Sequence, residues 1–228
     1  MSYLKSNKDY YEKGYHATNV DHPIFRFHGR ILKHDFQFGN NFEKALDFGC
    51  GQGAAVNFFA QHGFNAHGVD ISETDITIAK LRYPHIANRF TVCHASPSEN
   101  DHYGFKDNIS VVTAIQSLYL LSDTDFEICI NKIYNSMHSG AIFFATMMGE
   151  NSKEFFDNST PFKDGLRIVN YKNHRIEVKN YYMSFIKDEQ HLKEKFHLFT
   201  PLHTGYYAAK YTNDEGDAFH YTFCGLKP

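Results

Sequence analysis

The sequence predicts an α/β protein built on a doubly wound, mostly parallel sheet, and three observations carry that expectation. Short apolar runs recur along the chain: Lys44 to Phe48, Asn65 to Val69, Phe90 to His94, Ile109 to Ala114 and Ala141 to Met147. Between them lie stretches with apolar residues at helical spacing, such as Ala55, Phe58 and Phe59, then Ile76, Ala79 and Tyr83. A glycine-rich turn, Gly49-Cys50-Gly51-Gln52-Gly53, joins the first strand to the first helix. Strands that alternate with helices pair in parallel through right-handed crossovers, which leaves a ligand crevice at the strand carboxyl ends.

The first strand is bounded by glycine and suits a buried parallel position. Gly49, Gly51 and Gly53 lack a β-carbon, so the backbone there is free to take positive φ and to approach a ligand closely. Ala54 to His62 reads as a helix stopped by Gly63, and Asn65 to Val69 as the next strand, which delivers Asp70 to its carboxyl end. Asp70 follows the glycines at the spacing that lets a carboxylate take both ribose hydroxyls of a bound nucleoside. The acid before the turn narrows the ligand. Asp47 would share the crevice with a dinucleotide's pyrophosphate and repel it, whereas the sulfonium and α-ammonium of S-adenosylmethionine would be attracted. A dinucleotide oxidoreductase is therefore the weaker reading, although Gly49-x-Gly51-x-x-Ala54 satisfies its fingerprint.

Composition bounds the rest. The chain has 228 residues, enough for one large domain, or one domain with an insertion. Lys+Arg 23 against Asp+Glu 26 gives a formal net charge of −3, which does not indicate a general electrostatic grip on nucleic acid. The four cysteines are far apart, form no C-x-x-C pair and fit reduced thiols in a cytoplasmic protein. No apolar run approaches the roughly 18 residues of a membrane helix, and no H-E-x-x-H or comparable spacing points to a metal. The oligomeric state cannot be read from this sequence.

Asp47 to Gly53 resembles the Asp/Glu-x-Gly-x-Gly-x-Gly turn of the class I S-adenosylmethionine-dependent methyltransferases, small-molecule type. The resemblance covers residues from about 44 to the end. It implies a Rossmann-like, seven-stranded sheet closed by a terminal antiparallel hairpin, here Gly205 to Tyr211 with Ala218 to Gly225 around Asn213-Asp214-Glu215-Gly216. It also implies cofactor contacts from Asp47, Gly49, Cys50, Gly51, Gly53, Asp70, Ile71 and Ile115. Ser96 stands where the family often places an acid for the adenine amino group, and Ser110 where an acid usually opens the fourth strand. The loop after that strand leaves the sheet beside the methyl group, so Gln116 and Tyr119 are expected to border the acceptor.

Two segments stand outside this frame. Residues 1–43 carry aromatics and basic residues, as do the helical caps that close over the cofactor in many small-molecule members of the family. By that resemblance Tyr11, Tyr15 and Arg26 would cover the sulfonium or hold the methionine carboxylate. The guanidinium of Arg26 suits bidentate carboxylate binding. The plainer reading packs these aromatics on the body. Residues 149–182 break the alternation with turn-rich sequence and read as an inserted lid, in which Leu166 to Tyr171 and Arg175 to Tyr181 would pair as a hairpin. Ser184 is then expected to cap a helix through about Phe196, as Asp123 or Thr124 caps an earlier one running to about Met137.

In-line methyl transfer needs a nucleophile with a free lone pair, so an alkyl ammonium must first lose a proton. Tyr15, His16 and His28 are candidates for the base. Arg167 and Arg175 beside Tyr181 and Tyr182 suggest a phosphate clamp next to a cation-π surface, hence a phosphoethanolamine-like amine as acceptor. The bland reading makes them the wet face of a hairpin. Competing readings are O-methylation of a sugar or carboxylic acid, and a non-catalytic S-adenosylmethionine-binding protein. No Asn/Asp-Pro-Pro-Tyr/Phe motif follows the fourth strand, which favours a small molecule over nucleic acid or protein.

Overall fold

The structure, a computed structural model, describes residues 2–12, 19–94, 102–172, 177–210 and 218–228, and for 10–12 it describes the backbone. Its centre is a seven-stranded sheet. β1 (Lys44–Phe48) pairs in parallel with β2 (Asn65–Asp70) on one side and β4 (Ile109–Ala114) on the other. β3 (Phe90–Val92) continues beyond β2, and β5 (Met137–Met148) beyond β4. β10 (His220–Leu226) is antiparallel to both β5 and β9 (Thr200–Tyr207), giving the order β3-β2-β1-β4-β5-β10-β9. This is the expected Rossmann-like methyltransferase arrangement.

Alternate residues of the central strands feed two apolar cores, one per face. Ala45, Val111, Ile142 and Phe144 pack with α3 (Ala54–Gln61) and α4 (Glu73–Arg82), while Leu46, Val112 and Phe143 pack with α5 (Asp123–Ser136) and α7 (Glu189–Lys195). Central parallel strands are covered on both faces, which is why β4 is buried at every position. Phe143 stacks on Phe199 at 4.6 Å between centroids, and burying one such side chain contributes about 1.5–3 kcal/mol.

The chain start forms α1 (Tyr3–Glu12), α2 (His22–Arg26) and a π-helical turn over Phe27–Leu32. The last two pack on the α3 face: Phe27 stacks on Phe144 at 4.4 Å, and Phe25 meets Phe58 edge-on. α1 lies instead against a separate antiparallel sheet of β6 (Ser159–Pro161), β7 (Arg167–Lys172) and β8 (Glu177–Met183), which follows the short α6 (Lys153–Asp157). The hairpin expected in this region is the β7/β8 pair. Asn7 ties α1 to it. Its amide donates to the Tyr182 carbonyl at 2.7 Å and accepts the Tyr182 N–H at 2.8 Å, so one side chain satisfies an edge strand's backbone as a further strand would.

Several boundaries differ from the sequence reading. The last helix begins at Glu189, because Asp188 caps it by accepting the His191 N–H at 2.8 Å; Ser184 instead donates to the Tyr119 carbonyl. Ser122, not Asp123 or Thr124, caps α5. β5 begins at Met137 and carries Ser139-Gly140 within it, at a register shift against β4. β9 begins at Thr200, earlier than Gly205, and Asn213 to Gly216 lie outside the described residues.

Candidate active site

The carboxyl ends of β1, β2 and β4 converge where the glycine turn leaves the sheet. The Gly49 and Cys50 N–H groups both donate to the Val69 carbonyl, at 2.8 and 3.0 Å, which folds the turn back over β2. Each glycine has a different duty, read from what a β-carbon would meet. At Gly49 (φ +76) it would lie 2.4 Å from the Ser117 side chain, and at Gly53 (φ +82) 2.5 Å from the Phe90 ring. At Gly51 (φ +49) it would meet nothing within 4 Å, since Gly51 borders an open cavity. Gly49 and Gly53 therefore serve close packing within the protein, and Gly51 leaves space for a ligand.

Asp70 accepts the Gly51 N–H at 2.9 Å through one oxygen and the Ser72 N–H at 2.8 Å through the other. Burial raises its pKa against these two bonds, which favour the charged form. A carboxylate accepts up to about four such bonds, so acceptor capacity remains for a further donor. On the neighbouring strand, Asp47 accepts the Thr113 hydroxyl at 2.7 Å. Burial pushes its pKa up to about 7; the Thr113 bond lowers it, and the charges of Asp21 and Asp70 raise it further. At the end of β4, Gln116 takes φ +51, a conformation costly for a residue with a side chain. Its N–H donates to the Thr146 hydroxyl at 2.8 Å, and its Nε2 donates to the Tyr207 phenol oxygen at 3.2 Å.

One cavity joins these groups. Its floor is the turn from Asp47 to Gln52, with Asp70, Ile71, Ser72, Ile115, Gln116 and Ser117. Its walls are apolar and polar residues from elsewhere: Leu4, Asn7 and Lys8 of α1, Asn19 to Asp21 with Ile24, and Leu120 with Leu121. The donor set fits the cofactor that the turn implies. Asp70 has acceptors for a vicinal diol, Asp47 is a buried carboxyl group whose charged form a cationic centre would favour, and Gly51 leaves the approach clear.

Of the residues singled out by sequence, Asp47, Gly49, Cys50, Gly51, Asp70, Ile71, Ile115 and Gln116 border this cavity. Others do not. Gly53 packs beneath Phe90. Arg26 is exposed, and its Nε donates to His22. His28 is buried among Phe58, Phe59, His62 and Phe64, and burial, then the His62 and Lys33 charges, lower its pKa to about 4. Tyr119 is 3 % exposed within the core. Arg167 donates to the Ser159 hydroxyl and carbonyl and lies over the Phe156 ring, which occupies the guanidinium internally. Tyr181 is buried under the hairpin, and Tyr182 packs between Tyr3 and Phe162. Tyr15, His16, Ser96 and Arg175 lie outside the described residues, as does the Tyr11 side chain.

The sequence reading missed Asn7, Asp21, Leu120 and Leu121. Asp21 stands two residues before Pro23 and looks like a helix cap, so its place in the cavity carried no separate signal.

Residues 45–140 match the family model described as a methyltransferase domain. Solved structures of the same fold extend over the whole chain. A methyltransferase from Clostridium acetobutylicum, described as S-adenosylmethionine-dependent, shares 14% identity with a TM-score of 0.64, covering 100% of both chains. The N-methyltransferase NodS of Bradyrhizobium japonicum, solved with S-adenosylhomocysteine, shares 13% identity over 97% of this chain and 99% of its own, TM-score 0.60. Magnesium protoporphyrin IX methyltransferase of Synechocystis, also solved with S-adenosylhomocysteine, shares 12% over 96% and 94%, TM-score 0.62. No curated protein matches the chain in sequence. The match to the methyltransferase domain ends at residue 140, so α1, β9, β10 and the small sheet lie outside it. Among the described residues no helix is long and apolar enough to cross a membrane, and no cluster of His, Cys, Asp or Glu is placed to hold a metal ion.

Proposed function

We propose that this methyltransferase transfers a methyl group from S-adenosylmethionine to the nitrogen of a small amine. The observation that carries the reading is the sign of the cavity: among the described residues, Asp21, Asp47, Asp70 and Asp75 border it against one basic side chain, Lys8. Such a lining attracts a sulfonium, an α-ammonium and a protonated amine, and it repels a pyrophosphate. The phosphate half of the phosphoethanolamine-like expectation loses the Arg167 part of its support, because that guanidinium is engaged with Ser159 away from the cavity, while Arg175 lies outside the described residues. The amine half is retained.

In this reading Asp70 takes the ribose hydroxyls with the acceptor capacity left on its two oxygens. Asp47 balances the positive charge of the methionine portion, and Ile71 and Ile115 give apolar contact around the nucleoside. Bound S-adenosylmethionine supplies an activated methyl group, with no covalent enzyme intermediate needed. The protein holds the nucleophile in line and excludes water, for which Leu4, Ile24, Leu120 and Leu121 provide the dry wall.

Calorimetric titration with S-adenosylhomocysteine, followed by a methyl-transfer screen of amines, phosphoamines, alcohols, sugars and carboxylic acids, tests the proposal. Micromolar binding with turnover confined to amines is the expected result. Turnover confined to hydroxyl or carboxyl acceptors would replace N-methylation by O-methylation, and absence of S-adenosylhomocysteine binding would remove the reading altogether.

A further inference from the structure

Asp21 is the one carboxylate on the cavity whose side chain enters no hydrogen bond or ion pair with the described residues. It occupies the N-cap position of α2 yet leaves the helix uncapped. Asp75, by contrast, accepts from Gln52, and Asp47 and Asp70 have the partners given above. An acid that forgoes the cap in a half-buried place keeps the cost of desolvation without a local return, and burial accordingly raises its pKa. Its surroundings locate it. It lines the same cavity as Asp47 and Gln116, and its charge raises the pKa of Asp47 on β1 and of Tyr207 on β9.

Gln116 offers the second free acceptor. Its Nε2 is committed to the Tyr207 phenol, which orients the amide and leaves Oε1 without a partner among the described residues. Across the sheet the order is β2, β1, β4, so Asp70 and Gln116 stand on opposite sides of Asp47. A nucleoside held at Asp70 leaves the Gln116 side for the acceptor.

We infer that Asp21 and Gln116 form the acceptor subsite, and that it takes a primary or secondary alkylamine entering as the ammonium ion, recognised without a phosphate or carboxylate handle. This rests on the methyltransferase reading of the same cavity. One N–H of the ammonium donates to Asp21 and another to the Gln116 Oε1. The ammonium gives one proton to the Asp21 carboxylate, which frees the nitrogen lone pair. That pair forms the new N–C bond as the methyl C–S bond of the cofactor breaks, with its electrons staying on sulfur. The methylated ammonium departs, and Asp21 returns its proton to water. Asp21 and Gln116 touch substrate and are catalytic residues in this scheme, whereas Tyr207, outside the cavity lining, is a positioning residue. Among the described residues, the charged and titratable groups that share the cavity lining with Asp21 are Lys8 from α1, Asp47 from β1, Cys50 from the glycine turn, Asp70 from β2, Asp75 from α4 and Cys93, and Tyr207 from β9 feels its charge.

The test is binding, read by calorimetry on protein saturated with S-adenosylhomocysteine, with n-butylamine, benzylamine and piperidine as probes and n-butanol and benzyl alcohol as matched neutral controls. The expected result is that the amines bind and the alcohols bind at least tenfold more weakly. Asp21→Asn, which removes charge while keeping shape, should weaken the amines tenfold or more and leave S-adenosylhomocysteine affinity within threefold of wild type. Gln116→Leu should weaken the amines with Asp21 intact, and thermal melting of both variants shows that they are folded. Amines binding no better than alcohols, or equally well to Asp21→Asn, would overturn the inference. So would a parallel loss of S-adenosylhomocysteine affinity, which would place Asp21 against the cofactor's α-ammonium. Failure of wild-type protein to bind S-adenosylhomocysteine sinks the methyltransferase reading instead, and is visible before any amine is added.

Discussion

Asp70 accepts the Gly51 N–H at 2.9 Å, so the acid that ends β2 and the turn that follows β1 are one unit. Asp70→Asn can keep only part of this, because an amide nitrogen must face one of the two backbone N–H groups. We expect S-adenosylhomocysteine affinity to fall on the order of 100-fold, about 2–3 kcal/mol, with a folded protein by circular dichroism. An unchanged dissociation constant would separate the turn from cofactor binding.

Asp47 makes stability depend on pH with a definite sign. Its pKa is raised in the fold to about 7, so the folded state binds the proton more tightly than the unfolded chain. Its contribution is favourable below the ordinary carboxylate pKa and is lost as pH rises through 7. Asp47→Asn should therefore melt higher than wild type at pH 8, by a free energy on the order of 2–4 kcal/mol, with the gap closing as the pH approaches 4. Thermal scans across that range check it, and a gap independent of pH would mean that the carboxyl does not titrate in this window.

Gly51 and Gly53 share positive φ but should respond to alanine in opposite ways. Gly53→Ala pushes a methyl to 2.5 Å from the Phe90 ring, so melting temperature should drop and any loss of ligand affinity should follow the loss of folded protein. Gly51→Ala costs only the left-handed backbone penalty, about 1–2 kcal/mol, because its methyl would stand in open space. It should stay folded and bind S-adenosylhomocysteine at least tenfold more weakly. Calorimetry beside melting curves distinguishes the two.

His28 supplies a test at acid pH. Its pKa is lowered to about 4 by burial, so the unfolded chain takes up a proton that the fold resists between pH 6.5 and 4. Its contribution is intact above the ordinary histidine pKa and is lost as pH falls through that window, by up to about 3 kcal/mol. His28→Phe, which suits a site walled by Phe58, Phe59 and Phe64, should flatten the acid limb of the stability curve while leaving cofactor affinity unchanged. Loss of that affinity would put His28 back in the site.

The nucleoside half of the site was legible because its constraints are local. Positive φ demands glycine, and a strand end fixes where Asp47 and Asp70 emerge. The strand and helix periods around them follow from burial on two faces. Of the proposed acceptor subsite, Gln116 was legible from its place after the fourth strand, whereas Asp21 was not, because it meets Gln116 only in three dimensions. Asn7 and Asp21 come from α1 and the start of α2, and nothing in their neighbouring residues announces a cavity. Arg167 misled for a related reason: a guanidinium among tyrosines reads as a ligand clamp, yet a nearby Ser159 and Phe156 satisfied it inside the fold. His28 misled likewise, since a histidine in an aromatic-rich segment gives no sign of whether it faces a ligand or a core.

The Asn7 clamp joins residues 175 positions apart in sequence. Closing so long a loop is entropically expensive until the rest of the chain is ordered, so we expect this contact to form late in folding. The β1–β2–β4 centre, whose strands lie near one another in sequence, has no need to wait for it. Late assembly and early opening are two sides of one equilibrium. In native-state hydrogen exchange the α1 amides should therefore lose protection at lower denaturant than those of β1, and the wall of the cavity should come and go while its floor persists.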